Sequence, residues 1–283
     1  MIRFGPSGNG QLFTDQGYKT SLEAPLWLKN RGLNAYEYSF SRGFKMSDFT
    51  AKSLGDACKE NGIEISVHAP YYINLANDDD KKVEKSFEYI ITSLKYLKIM
   101  GGHRCVFHPG SCMGRDRKEA FEILKKNMEK LVERIDKENL GFDFLLCPET
   151  MGKSMQLGTY EEVAEICTLR DYLVPTLDFG HINALTQGSL KTESDFKKIF
   201  DHLIKTIGLE KTKKVHIHFS KIEYGEKGEI KHLTFADNEY GPCFEPLAKV
   251  IKEYNLEPDI ICESNKTQAE DANEMKSIYE SLK

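Results

Sequence analysis

Long hydrophobic runs, a basic excess and paired cysteines are all missing from this sequence, and each absence excludes a class of protein. No apolar stretch approaches the roughly 20 residues needed to cross a bilayer. The opening segment Met1-Ile2-Arg3-Phe4-Gly5-Pro6 lacks a signal-peptide layout. The seven cysteines stand singly with no CxxC, which argues against a disulfide framework and a thiolate zinc knuckle. They read as small core residues of a cytoplasmic protein. Lys and Arg number 39 against 44 Asp and Glu, a net charge of −5, so no overall basic field advertises nucleic acid. Any anionic substrate would need local positive charge, such as bound metal. No linker, low-complexity tract or short repeat divides the chain, so residues 1–283 read as a single domain.

What is present is alternation. Apolar runs rich in β-branched and aromatic residues fall at Ile2–Phe4, Ala35–Phe40, Glu64–His68, Arg104–His108, Phe144–Cys147, Leu173–Leu177, Lys214–Phe219 and Asp259–Cys262. Between them lie helical patterns, clearest over Asp79–Met100 and Asp116–Glu138. Others fall near Pro25–Asn30, Ser47–Glu60, Thr159–Leu169, Ser194–Ile207, Phe244–Tyr254 and Gln268–Leu282. Eight such strand–helix units predict an α/β fold, a (β/α)8 TIM barrel, with an open doubly wound sheet as the structural alternative. The Gly-rich segment Gly5–Gly10 lacks the GK[ST] of a phosphate loop and reads as a barrel loop.

In such a barrel the active site forms where strands end. Here six consecutive strand ends carry His, Asp or Glu: His68, His108, Glu149, Asp178 with His181, His216, and Glu263. Each alone has a structural explanation, but together their carboxylates would repel one another unless a cation intervened. Mixed imidazole and carboxylate donors suit zinc, with manganese or iron as alternatives. Two or three divalent ions would outweigh Glu149, Asp178 and Glu263 and leave the pocket positive. His68, His108, His181, His216 and His232 are the candidate histidine ligands. His103 and His202 read as structural, and His218 as a residue supporting the ligands rather than joining them.

The segments His68-Ala69-Pro70-Tyr71-Tyr72-Ile73-Asn74-Leu75, His108-Pro109-Gly110, Glu149-Thr150-Met151-Gly152, Asp178-Phe179-Gly180-His181 and His216 with Lys221 lie in one order along the chain. From about Glu64 to Ser264 they resemble the endonuclease IV family of apurinic/apyrimidinic endonucleases. The resemblance implies a barrel with three zinc ions that hydrolyses DNA 5′ to an abasic site in base excision repair. His68 and His108 would then hold one ion, and Glu149, the residue on which hydrolysis depends, would bridge it to a second. Asp178, His216 and Glu263 would complete the second site, and His181 and His232 would hold the third. Ile230 stands where the family has an Asp ligand, which leaves the third site short unless Glu229 or Asp237 replaces it. His218-Phe219 likewise replaces an expected Asn-Asp.

The resemblance further implies a monomer acting on duplex DNA with abasic sites, with no membrane partner. Tyr71 and Tyr72 would wedge into the gap left by the turned-out nucleotide, and Arg42 would contact the DNA from the opposite side. Two other readings compete. The related xylose-isomerase-like barrels are also similar, and Glu149, Asp178, His216 and Glu263 would serve a metal-dependent sugar isomerase or epimerase. A non-catalytic protein that keeps its metals for stability or binding is the third.

Overall fold

Most residues in eight short strands are inaccessible to solvent, the pattern of a parallel sheet covered on both faces. In the computed structural model, which describes residues 1–282, the strands are β1 (Arg3–Pro6), β2 (Ala35–Ser39), β3 (Glu64–His68), β4 (Arg104–Phe107), β5 (Leu145–Pro148), β6 (Thr176–Asp178), β7 (His216–Phe219) and β8 (Asp259–Cys262). Parallel ladders join β2 through β5, and β6 through β7 and β8 to β1. Single parallel bridges close the circle: Ser7 with Glu37, Leu146 with Leu173 and Glu149 with Thr176. The chain is a (β/α)8 barrel.

The two longest helices show why the alternation is readable. Asp80–Met100 buries Val83, Phe87, Ile90, Ile91, Leu94 and Leu97 along one stripe. The Asp79 side chain accepts from the Lys81 amide at its start, and Gly101 ends it with φ at 75°. Arg117–Glu138 begins in the same way on Asp116.

Departures from the sequence reading have local causes. Strand β1 runs on through Gly5 and Pro6 by pairing with Ile261 and Cys262, and only a glycine fits at position 5, where a Cβ would lie 1.8 Å from the Ala35 carbonyl oxygen on β2. Pro175 has no amide to donate, so β6 starts at Thr176 rather than Leu173. The elements with no counterpart in the sequence reading include the short helix Phe179–Leu185 and the antiparallel hairpin Ile222–Gly225/Gly228–His232. Among the described residues no helix is long and apolar enough to cross a membrane.

Polar contacts floor the barrel at its N-terminal end. Arg104 and Arg3 reach Asp259 at 2.7 and 2.9 Å. Burial works to raise the Asp259 carboxyl, but Arg104, His216 and Arg3 together outweigh it and hold the group below its ordinary value. The opposite end collects the candidate ligands.

Candidate metal centre

Glu149 follows the end of β5, and its side chain is 1% exposed. Its two oxygens face different partners. His68 and His108 bring Nε2 to Oε2 at 3.0 and 3.1 Å. His218 and His181 bring Nδ1 to Oε1 at 3.1 and 3.5 Å. A carboxylate placed between two donor groups in this way has the arrangement of a bridging ligand.

Around the Oε1 side lie Asp178, His218 and Glu263, which with Glu149 form one group of four. Asp178 ends β6 and caps the next helix, accepting the His181 amide through Oδ1 at 2.7 Å. Its other oxygen, Oδ2, is buried without a hydrogen-bond partner. An orphaned carboxylate oxygen in a cluster of imidazoles is what a cation site leaves when only protein atoms are counted. Donor atoms each about 2.1 Å from a tetrahedral ion lie about 3.4 Å apart. The His218–Glu263 separation of 3.7 Å is close to that spacing. The residues therefore fit a metal of the zinc type.

His216 is not in this group, contrary to the sequence reading. In the β7 register His218 stands opposite Asp178 and Ile261, whereas His216 stands two residues deeper, opposite Thr176 and Asp259. Two strand residues span about 6.6 Å. His216 therefore lies below the mouth, with its Nε2 on Glu37 at 2.9 Å, and His218 takes the place assigned to it. Glu37, on β2, is absent from the sequence reading altogether. The strand-end rule finds ligands at the mouth and has no signal for a carboxylate reaching in from lower down the barrel wall.

A third donor group stands beside the first two: His181, Glu229 and His232. Glu229 lies 3.6 Å from His181 Nε2 and 3.8 Å from His232 Nε2. Asp237, the other possible replacement, instead accepts from the amide and hydroxyl of Thr234. Glu229 is available because the hairpin is bulged. Tyr224 pairs with Glu229 and Glu223 with Lys231, so Ile230 has no opposite number. Residues three apart on a regular strand face opposite ways, and the extra residue turns Glu229 and His232 to the same side. Gly152 admits Glu229 and His181, since a Cβ there would lie 2.9 Å from both the Glu229 Cβ and the His181 ring.

Without a cation, protons hold the cluster together. Burial opposes a charge on His68, but Glu149 outweighs it and pushes the imidazole up to about 9. His181 is likewise pushed up to about 9, against burial, chiefly by Asp178 and Glu149. Burial also favours the neutral form of Glu149, yet His218 and His108 hold it well below the usual carboxylate range. For Asp178 burial prevails and raises the carboxyl.

The mouth above is a cavity of about 390 Å³ bordered by His108, His232, Glu263, Lys153 and Tyr71. Tyr71 and Tyr72 are about half exposed, with ring centroids 4.8 Å apart. Arg42 donates from Nε to the Tyr71 hydroxyl at 3.0 Å. It thus stands on the same edge as the tyrosines, not opposite them. Lys221 is tied to the Phe235 and Asp237 carbonyls. His103 and His202 lie away from the centre, on the Asp143 carbonyl and on Tyr160 and Thr206.

The chain matches the model of the xylose isomerase-like TIM barrel family over residues 26–283. It is 34% identical over 239 residues to an uncharacterized protein of Methanocaldococcus jannaschii, covering 84% of each chain. It is 30% identical over 187 residues to a probable endonuclease 4 of Staphylococcus carnosus, spanning 64% of this chain and 60% of that one. Among solved structures, endonuclease IV from Thermus thermophilus superposes with a TM-score of 0.71 at 20% identity, covering 99% of this chain and 100% of that one. A D-tagatose 3-epimerase-like protein gives the same TM-score, 0.71, also at 20% identity, covering 98% and 96%. Structural likeness at that identity speaks for the barrel and not for either chemistry. The chain belongs to the xylose isomerase-like TIM barrel family, and within it is a divergent member similar to the endonuclease 4 proteins.

Proposed function

We propose that this chain is a metal-dependent phosphodiesterase that hydrolyses duplex DNA 5′ to abasic sites, in the manner of endonuclease IV. One observation carries the reading. Glu149 is shared between two donor groups, and a third group, His181–Glu229–His232, stands next to them. A one-metal centre would use only four of these residues. Zinc held there, or manganese or iron, would supply Lewis acidity and a water acidified toward neutral pH.

The chain's own residues do the rest. His68 and His108 bind on one side of Glu149, and Asp178, His218 and Glu263 on the other. Burial of Asp178 and Glu149 keeps bulk water from competing for those positions. Lys153, exposed at the mouth, offers charge to a phosphate in a chain that is acidic overall. Tyr71 and Tyr72 present a paired aromatic edge, steadied by Arg42, that can fill the gap in a duplex whose damaged nucleotide is turned out. Unstacking costs a few kcal/mol and is least at a damaged position.

A second reading rests on a specific observation too. Glu149, Asp178, His218 and Glu263 form a complete four-residue set, and the cavity over them is of small-molecule size. These features suit a sugar epimerase. The test is a duplex oligonucleotide carrying a tetrahydrofuran abasic analogue, incubated with zinc-loaded protein. The expected result is a single nick 5′ to the analogue that a chelator abolishes and that falls at least about 100-fold in E149Q. An intact duplex, with ketose epimerisation by the same preparation, would establish the second reading instead.

A further inference from the structure

Beneath His218 the carboxylate of Glu37 is completely buried, and among the described residues its ion-pair partners are two histidines. One of its oxygens is fully engaged. Oε2 accepts from the Ser66 hydroxyl at 2.9 Å and faces His216 Nε2 at 2.9 Å. These contacts fix the plane of the carboxylate and leave Oε1 facing His218 Nε2, also at 2.9 Å. Neither of those two atoms has a hydrogen-bond partner of good angle, and the 2.9 Å approach between them is an ion-pair contact.

His218 is oriented unlike most of its neighbours. His68, His108 and His232 turn Nε2 toward their carboxylates, whereas His218 turns Nδ1 toward Glu149 and Glu263. A neutral imidazole carries one proton, so Nδ1 has a free lone pair only if the proton sits on Nε2. Left to itself the ring could take either tautomer. A buried anion at Nε2 selects the one that leaves Nδ1 open.

We infer that Glu37 is a positioning residue for the metal centre: it reaches across the barrel interior from β2 and holds His218 with Nε2 protonated and Nδ1 presented to the ion shared with Glu149, Asp178 and Glu263. Ser66 and His216 hold Glu37 in turn. Glu37, His216 and His218 also lie close enough together to hold an ion of their own, but Oε2 of Glu37 is already taken by Ser66 and His216, and the cluster is assigned to positioning rather than to a further ion. The inference rests on the metal-centre reading but is indifferent to whether the substrate is DNA or a sugar.

The test compares wild type, E37Q and S66A by zinc titration against a chelating indicator, with long-range proton–nitrogen spectra of the imidazoles in the zinc-loaded protein. In E37Q one ion of the complement weakens by about 10–100-fold, the others keep their affinity, and the Nε2–H signature of His218 is lost. S66A, a milder change that serves if E37Q does not fold, weakens the same ion about fivefold, the worth of one hydrogen bond. Unchanged zinc affinity in these variants, or an Nδ1–H tautomer at His218 in wild type, would overturn the inference. A wild-type chain that takes up no zinc would overturn the metal-centre reading along with it.

Discussion

Two histidines on β7, His216 and His218, share a face of the strand and differ only in depth. Spacing along the sequence shows the shared face, because side chains two apart point the same way. It does not show where the barrel mouth falls, and that depends on the register with β6 and β8. The pairing of His218 with Asp178 settles the depth. Substitutions should separate the two residues sharply. His218→Asn should remove one ion per chain and lower activity at least about 100-fold. His216→Gln keeps a donor toward Glu37 and should leave the ion count unchanged, while lowering stability by about 1–3 kcal/mol for the lost fit. Metal analysis and thermal melts of the two variants check both statements. Equal metal loss in both would return His216 to the ligand set.

The hairpin from Ile222 to His232 shows how an element can bring a carboxylate to a place where the sequence pattern lacks one. Ile230 in the position of an expected Asp suggests a broken site. The bulge makes Ile230 the unpaired residue, 56% exposed, and sets the Glu229 carboxylate beside His181 and His232. No periodicity in Gly228-Glu229-Ile230-Lys231-His232 announces a bulge, since the signal lies in the pairing with Ile222–Gly225. Inserting one residue between Glu223 and Tyr224, opposite Ile230, should restore a regular ladder and turn Glu229 and His232, three residues apart, to opposite faces. The expected outcome is loss of one ion per chain with the barrel's melting cooperativity intact, read by elemental analysis and circular dichroism. A full metal complement in the insertion variant would show that Glu229 is not a ligand.

At the level of the whole molecule the barrel is legible in the sequence, because each strand is a short apolar run and each long helix an apolar stripe with a cap at its start. Glu64–His68 and Asp259–Cys262 are found with the boundaries the sequence suggests. Five strand-end residues, His68, His108, Glu149, Asp178 and Glu263, are legible by the same rule and are brought together. Glu37 is not, since a buried carboxylate in an apolar strand is identified only by what crosses the barrel to meet it. The net charge of −5 makes the centre's cations decisive for any anionic substrate. The most direct measurement is therefore metal content per chain by elemental analysis, on protein purified without chelator. One ion for each of the three donor groups at the mouth and none for the fourth group, Glu37 with His216 and His218, makes three per chain, the result predicted here. A single ion per chain would contradict the multi-metal centre and leave the four-residue epimerase set as the better account.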